Sequence, residues 1–210
     1  MNTKNYYFSL LFILSALTGF SQQSGTIVSA PSGDEYVKID PKGKTVIPNG
    51  RYLTPAGKSY IVAPHPYGLV LSNDGNIAVT ANSGTSPLSI SILKNIQSPN
   101  PEIIQIPESP KGDKGIIESV FMGLAISPDN KKVYVAGGQT NKIYIFDIQT
   151  GKPLGSIDCS FKNSQADYSH GYIGDMVMNR DGSYLYAVDQ IGFRMLTVDL
   201  NSVKLISSCP

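Results

Sequence analysis

Three stretches of this chain repeat one pattern at nearly constant spacing. Each has a short apolar strand, a turn built on an aspartate and a second, alternating strand; they read GLVLSNDGNIAVTAN (68–82), GLAISPDNKKVYVAGG (123–138) and DMVMNRDGSYLYAVDQ (175–190). The turn residues Asp74, Asp129 and Asp181 lie 55 and 52 residues apart. Repeats at a fixed period of about this size are typical of folds that stack one supersecondary unit beside the next.

Two further strands follow in the repeats. Alternating segments at 88–93, 142–148 and 193–200 predict third strands, and segments 154–157 and 203–206 predict fourth strands after a turn. Four antiparallel strands per unit form the blade of a β-propeller. We therefore predict an all-β protein with about three four-stranded antiparallel blades, a partial β-propeller, over residues 61–210.

The first 21 residues predict a secretory signal. Lys4 supplies the positive start, residues 6–17 are too short an apolar run to span a bilayer, and Gly19 and Ser21 suit cleavage before Gln22. We expect an exported protein, periplasmic or extracellular, without a membrane span after signal removal; an uncleaved N-terminal anchor is the alternative. Residues 22–60 predict a segment with short strands at 35–39, 44–47 and 58–62, one of which completes a blade.

Charge and cysteine content exclude some function classes. The net charge is +1 and no basic block occurs, so we expect no nucleic-acid partner. Cys159 and Cys209 fall at nearly matching points of successive repeats, which are usually too far apart for a disulfide, so two free thiols are expected. No CxxC or paired-histidine spacing indicates zinc.

The turn aspartates and the strand-initial glycines have structural interpretations. Asp74, Asp129 and Asp181 are expected to accept backbone N–H bonds within their turns rather than to act in catalysis. Gly68 and Gly123 suit a position where neighbouring backbones crowd. Asp175 takes that position in the third repeat and is expected to point into a wet channel.

The second repeat, GLAISPDNKKVYVAGGQTNKIYIFDIQTGK (123–152), resembles the YVTN family of β-propeller repeats, and the resemblance extends over roughly residues 60–210. A second resemblance covers less of the chain, namely residues 51–57, 66–69, 80–85 and 88–90. Those segments are similar to the start of exported bacterial proteins that join such a propeller to a C-terminal alkaline-phosphatase-like phosphoesterase domain. The resemblance implies that the catalytic residues of such a protein lie in that domain, which nothing in this chain matches.

Three blades are fewer than the four or more that a closed propeller needs. We therefore expect the first and last sheets each to expose an apolar face. The chain is expected to be the N-terminal portion of a larger protein, so its partner is its own C-terminal domain or another protein. The alternative is that copies of this chain associate to close the propeller ring.

Two segments are expected to be linkers that follow a fourth strand and lie near the channel mouth. They are residues 98–115, which contain four prolines, and residues 160–171.

Six residues near the predicted channel mouth are candidates for a site. Glu118 and His170 occupy matching positions of successive repeats and, with Asp175, would form a general-base pair or hold a divalent metal; solvated loop residues are the alternative. Three aromatic residues would stack on a small-molecule ligand, core packing being the alternative: Tyr67, Phe121 and Tyr172. His65 is expected to be a surface residue. We predict no cofactor, unless that divalent metal is bound.

The sequence therefore favours a non-catalytic propeller module that binds a ligand or a partner. One alternative is a lactonase-like hydrolase that uses Glu118, His170 and Asp175. The other is a surface protein that self-associates through blade edges.

Overall fold

Each of the three repeats folds into a four-stranded antiparallel sheet, as the sequence predicted. The computed structural model describes residues 28–38, 40, 43–84, 87–107 and 117–209, and within those ranges it contains no helix. The predicted signal at 1–21 lies outside the described residues. The described chain divides into two compact units between Tyr60 and Ile61.

Fourteen strands are present in the described part of the chain, two in the first unit and twelve in the second. In chain order they are β1 (Thr45–Val46), β2 (Tyr52–Leu53), β3 (Pro66–Leu71), β4 (Ile77–Asn82), β5 (Ser89–Lys94), β6 (Glu102–Ile106), β7 (Leu124–Ile126), β8 (Lys132–Ala136), β9 (Lys142–Asp147), β10 (Pro153–Asp158), β11 (Ile173–Met178), β12 (Tyr184–Asp189), β13 (Arg194–Asp199) and β14 (Lys204–Cys209). β1 and β2 pair with each other. The second unit holds three meanders: sheet 1 (β3–β6), sheet 2 (β7–β10) and sheet 3 (β11–β14).

Of the three short strands predicted for residues 22–60, the structure confirms one. The predicted strand at 44–47 contains β1. Residues 35–38 and 58–62 are not strands, and neither β1 nor β2 joins a four-stranded sheet.

The interpretation of 98–115 as a linker was wrong, because β6 lies inside it. Pro101 and Pro107 flank the strand, and a proline just outside a strand removes no ladder hydrogen bond. Ile104 and Ile106 pack into the core between the first two sheets, which gives β6 its alternation. Glu102 forms an ion pair with Lys94 on β5, with 2.9 Å between Nζ and Oε1.

The core lies in two layers between neighbouring sheets. In β8, Val133 and Val135 pack in the layer shared with sheet 1, while Tyr134 and Ala136 pack in the layer shared with sheet 3. Successive strand residues point to opposite faces. The centre of sheet 2 is therefore apolar on both faces, which explains the nearly continuous apolar pattern of β8 and β9.

The inner strands approach one another most closely at the predicted glycines. A Cβ added to Gly123 would lie 2.8 Å from the Cα of Asp175, and one added to Gly68 would overlap the Met122 carbonyl oxygen. The Gly123 N–H also donates to the Gly174 carbonyl at 3.0 Å. The expectation of backbone crowding at both glycines is confirmed.

The outer faces of sheets 1 and 3 both expose apolar side chains, as the sequence predicted, although in sheet 1 they cover only part of the face. The outer face of sheet 1 is mixed. Leu69 and Leu71 on β3 are 67% and 54% exposed, while the centre of the face is buried and polar, with the Asn82 amide donating to Ser91 and Thr80 donating to Asn82. The outer face of sheet 3 is exposed, with apolar residues such as Val177 and Met195. What the sequence did not predict is the buried polar centre of the sheet 1 face, whose side chains bond to one another.

We predict that Gly123→Ala destabilises the fold by about 1–3 kcal/mol, since the new methyl group forces neighbouring inner strands apart. The measurement is urea unfolding of the 210-residue chain followed by circular dichroism. Gly57→Ala is the matched control, because nothing lies within 4 Å of its added Cβ. Equal stabilities of the two variants would contradict the close-packing argument.

Candidate functional site

The three turn aspartates are engaged in their own turns. Each carboxylate accepts the hydroxyl of a nearby serine and a backbone N–H two residues ahead; the pairs are Asp74 with Ser72 and Asn76, Asp129 with Ser127 and Lys131, and Asp181 with Ser183. The serine hydroxyl is the main cause that lowers the pKa of each carboxyl, and the backbone donor adds to it. The geometric role predicted for these residues is confirmed.

A buried ion pair lies at the end of sheet 3. Asp189 closes β12, Arg194 opens β13, and the strand register places them opposite each other. Arg194 Nε lies 2.8 Å from Asp189 Oδ2, and neither side chain is exposed to solvent. Asp189 Oδ1 also accepts the backbone N–H groups of Tyr172 and Gly192 at 2.8 and 2.9 Å. The carboxylate is therefore satisfied on both oxygens.

The Arg194 guanidinium connects this pair to the rest of the second unit. One terminal nitrogen donates to the Cys159 carbonyl at 2.7 Å, and the other donates to Ser208 Oγ on β14 at 3.2 Å. The guanidinium carbon lies 4.2 Å from the ring centroid of Tyr168, within the range of a cation–π interaction. A single cation thus holds the end of sheet 2, the β10–β11 connection and the last strand together.

Sequence reasoning missed this cluster, although a signal existed. Asp189 follows the turn residue Asp181 by eight residues, and the same position holds Asn82 in the first repeat and Gly137 in the second. Only the third repeat places a carboxylate there, with Arg194 five residues later. This change from the repeat pattern could have suggested an Asp189–Arg194 pair, although its burial is seen only in the structure.

The predicted aromatic residues do not all come together. Phe121 and Tyr172 pack edge to face, with 5.1 Å between ring centroids, and burial raises the pKa of Tyr172. Tyr67 instead contacts His65, with centroids 6.1 Å apart, and is 61% exposed. Phe121 and Tyr172 are half-buried at the junction of sheets 2 and 3, where the Gly138 backbone lies against the tyrosine ring.

The predicted titratable residues are all exposed. Glu118 and His170 lie in the connections that precede β7 and β11, and Asp175 lies on β11, where its Oδ1 accepts the Met176 N–H at 2.8 Å. Among the described residues, no group of three or more His, Cys, Asp and Glu side chains is arranged to hold a metal ion. Glu118, His170 and Asp175 therefore do not form a three-ligand metal centre in the structure.

Both cysteines are free thiols, as expected from their positions. Cys159 is buried, and desolvation raises its pKa to about 12, against a smaller opposing effect of Arg194. Cys209 is exposed on β14. The two thiols therefore differ sharply in expected reactivity.

The outer face of sheet 3 exposes several apolar side chains to solvent. We call it the open face; it comprises Asp175, Val177, Tyr186, Val188, Met195, Thr197 and Cys209. Its apolar members are well exposed: Val177 by 63%, Val188 by 47% and Met195 by 52%. A contiguous exposed apolar patch on a sheet marks an interaction surface.

The first unit holds a separate polar cavity, lined by residues between Asp34 and Tyr52. The Tyr52 hydroxyl lies 3.2 Å from both carboxylate oxygens of Glu35, and that hydrogen bond raises the pKa of Tyr52. The Lys44 ammonium lies 4.3 Å from the centroid of the Tyr52 ring. Tyr52 therefore contacts both charged side chains, Glu35 through its hydroxyl and Lys44 through its ring.

Comparison with known proteins supports the fold. No protein-family model matches the chain, and no curated protein matches it. Among solved structures, hydrazine synthase of Kuenenia stuttgartiensis is similar over 74% of this chain and 38% of its own, with 15% identity and a TM-score of 0.50. A chain of the mitotic checkpoint complex is similar over 69% and 40%, with 13% identity and a TM-score of 0.50.

The RRP9 WD40 repeats are similar over 68% of this chain and 38% of theirs, with 17% identity and a TM-score of 0.48. The chain thus spans about two-fifths of the length of the structures it matches. The two neighbours with a TM-score of 0.50 and the three four-stranded sheets agree on a propeller-type all-β fold. Within the described residues, no helix of the length and apolarity needed to span a bilayer is found.

We predict that Asp189→Asn destabilises the fold by about 3–5 kcal/mol, because it leaves the buried Arg194 charge without its counter-ion. Urea unfolding at neutral pH is the measurement. Asp167→Asn is the control, since it removes a carboxylate from an exposed pair with Lys162 and should change stability little. Similar losses in both variants would contradict the assigned importance of burial.

The same pair predicts a pH dependence. Burial alone raises the pKa of Asp189, but the N–H groups of Tyr172 and Gly192 and the Arg194 guanidinium outweigh it, so the pKa in the fold lies below its usual value. Its stabilising effect is therefore complete above the unfolded value of about 3.9 and is lost as pH falls through the folded value. We expect the stability gap between wild type and Asp189→Asn to shrink below about pH 4; a gap that stays constant would contradict this.

Proposed function

We propose that this chain is an exported, non-catalytic propeller module that acts as a scaffold for a protein partner. The observation that carries the proposal is the open face of sheet 3. The corresponding faces of sheets 1 and 2 are covered by the next sheet, whereas Val177, Val188 and Met195 remain exposed. A scaffold needs such a surface, and a rigid all-β array presents it at low conformational cost.

The arrangement of the charged residues supports a scaffold over an enzyme. The turn aspartates and the Asp189–Arg194 pair are fully used in structural hydrogen bonds. The remaining candidates, Glu118 and His170, lie on exposed connections. General acid–base catalysis needs groups positioned within hydrogen-bond reach of one reacting atom.

The sequence supports two parts of the proposal, export of the protein and a phosphoesterase domain as its partner. The signal-like residues 1–21 fit a secreted scaffold. The resemblance of 51–57 and 80–85 to propeller proteins fused to an alkaline-phosphatase-like domain favours a phosphoesterase domain as the partner class. N-terminal sequencing of the exported protein tests the first part, with Gln22 as the expected first residue.

The hydrolase alternative is tested through the two histidines, His65 and His170, which are the only ones in the sequence. We predict that His170→Ala changes neither the bound-metal content, measured by mass spectrometry, nor the hydrolysis of lactones and phosphate monoesters with added Mg²⁺, Ca²⁺ or Zn²⁺. His65→Ala is the matched control. Activity or metal that disappears in His170→Ala but not in His65→Ala would replace the scaffold by an enzyme.

A further inference from the structure

The first unit forms its cavity between the β1–β2 hairpin and the segment that lies against it, residues 34–38. In the hairpin, Val46 is paired with Tyr52. The segment is attached to both strands, since the Tyr52 hydroxyl bonds to Glu35 and the Lys38 N–H donates to Thr45 Oγ1 at 2.7 Å. Residues of the hairpin and of the segment together line a cavity of about 480 Å³.

The size and the lining of this cavity are those of a binding site for a small molecule. Such sites have volumes of about 300–1,000 Å³ and combine apolar surface with a few polar groups. Val46 contributes buried apolar surface, with 4% of the residue exposed, whereas Tyr52 is 50% exposed. A ligand in the cavity therefore finds both an apolar wall and an aromatic ring that is not fully covered by the protein.

Charged groups of both signs line the cavity in equal number. The carboxylates belong to Asp34 and Glu35 and the ammonium groups to Lys38 and Lys44, and in the described part of the chain no ion pair joins the two sets. Their charges sum to zero, so the lining favours neither an anion nor a cation. A hydroxyl group donates and accepts at once, so a neutral ligand with many hydroxyls can bond to both kinds of group.

The ring and the charged groups come together at Tyr52. Its hydroxyl donates to Glu35, 3.2 Å from each carboxylate oxygen, and this bond raises the pKa of Tyr52, so the hydroxyl keeps its proton. An ionised carboxylate has about four acceptor sites, and most of those on Glu35 are left for a ligand. The Lys44 ammonium lies 4.3 Å from the ring centroid. A sugar ring matches this arrangement, because it has an apolar C–H face and hydroxyls around its rim.

We propose that this cavity binds an uncharged oligosaccharide, with one sugar ring stacked on Tyr52 and with its hydroxyls bonded to Glu35 and Lys44. The site uses no residue of the open face. It therefore gives the first unit a ligand-binding function of its own, in addition to the scaffold function proposed for the sheets of the second unit.

Two other classes of ligand fit the lining less well. An anion such as inorganic phosphate gains from the two lysines but is repelled by Asp34 and Glu35, which line the same cavity. A free amino acid carries one charge of each sign, but it is small and leaves much of the cavity to water. Both classes serve as comparison ligands in the experiment.

The experiment measures binding to the full 210-residue chain by isothermal titration calorimetry. The probes are maltotriose, cellotriose, chitotriose and mannotriose, and the comparison ligands are inorganic phosphate, glutamate and lysine, each at millimolar concentration. We expect at least one trisaccharide to bind. Its affinity should be the same at roughly 0.05 and 0.5 M NaCl, because salt screens only interactions that depend on the charge of the ligand.

Substitutions at Tyr52 test the stacking contact. Tyr52→Ala removes the ring and should weaken trisaccharide binding by about tenfold or more. Tyr184→Ala is the matched control, since it removes a tyrosine of the second unit that is 38% exposed, and it should leave the affinity unchanged. Tyr52→Phe keeps the ring and loses only the bond to Glu35, so it should retain most of the affinity.

A lysine substitution tests the polar contact without removing the ring. Lys44→Met keeps a side chain of similar length and removes the ammonium donor, so it should weaken trisaccharide binding several-fold. Lys204→Met, at an exposed position on β14, is the matched control and should bind as wild type does. Where Tyr52→Ala alters the fold of the first unit, the comparison of these two lysine variants decides.

Three results would overturn the inference. One is that none of the four trisaccharides binds at millimolar concentration. Another is that a trisaccharide binds as tightly to Tyr52→Ala, or to Lys44→Met, as to the wild type. The third is that phosphate, glutamate or lysine binds instead, with an affinity that falls at high salt and in Tyr52→Ala. Since no variant here touches the open face, each of these results leaves the scaffold proposal standing.

Discussion

The close approach of neighbouring inner strands is the constraint on which the second unit depends. At Gly68 and Gly123 the following strand lies where a side chain would otherwise project, and the Gly123 N–H donates across the junction to Gly174. This contact brings the apolar faces of adjacent sheets together and creates both core layers. Without it, the apolar faces that form these two layers would be exposed to water, and sheet 2 would expose both of its faces.

The sequence predicted those parts of the fold that repeat. The third strands, the aspartate turns and the crowded glycines recur in register, so each repeat supports the interpretation of the others. β6 was missed because its prolines dominated the local pattern, although Ile104 and Ile106 alternate as a strand requires. The buried polar centre of the sheet 1 outer face was missed because Thr80, Asn82 and Ser91 look like solvent-facing residues until their mutual hydrogen bonds are known.

The candidate site was harder to predict for a physical reason. Matching positions in successive repeats predict where backbones lie, but they do not determine where long side chains end. Glu118 and His170 match in position and still lie on exposed connections. The groups that do converge, Asp189 and Arg194, come from one hairpin and from a position that varies among the repeats. Their importance follows from burial, which sequence spacing alone does not reveal.

The two acidic residues of sheet 3 illustrate how one fold gives the same side chain opposite roles. Asp189 is buried with a full set of donors, and its charge stabilises the junction between sheets 2 and 3. Asp175 stands at the inner edge of the open face, where glycine would permit close packing. A carboxylate at that position weakens packing against a plain apolar surface and favours a neighbour that can donate to it. The third repeat therefore places one carboxylate in a buried ion pair and the other on an exposed sheet face.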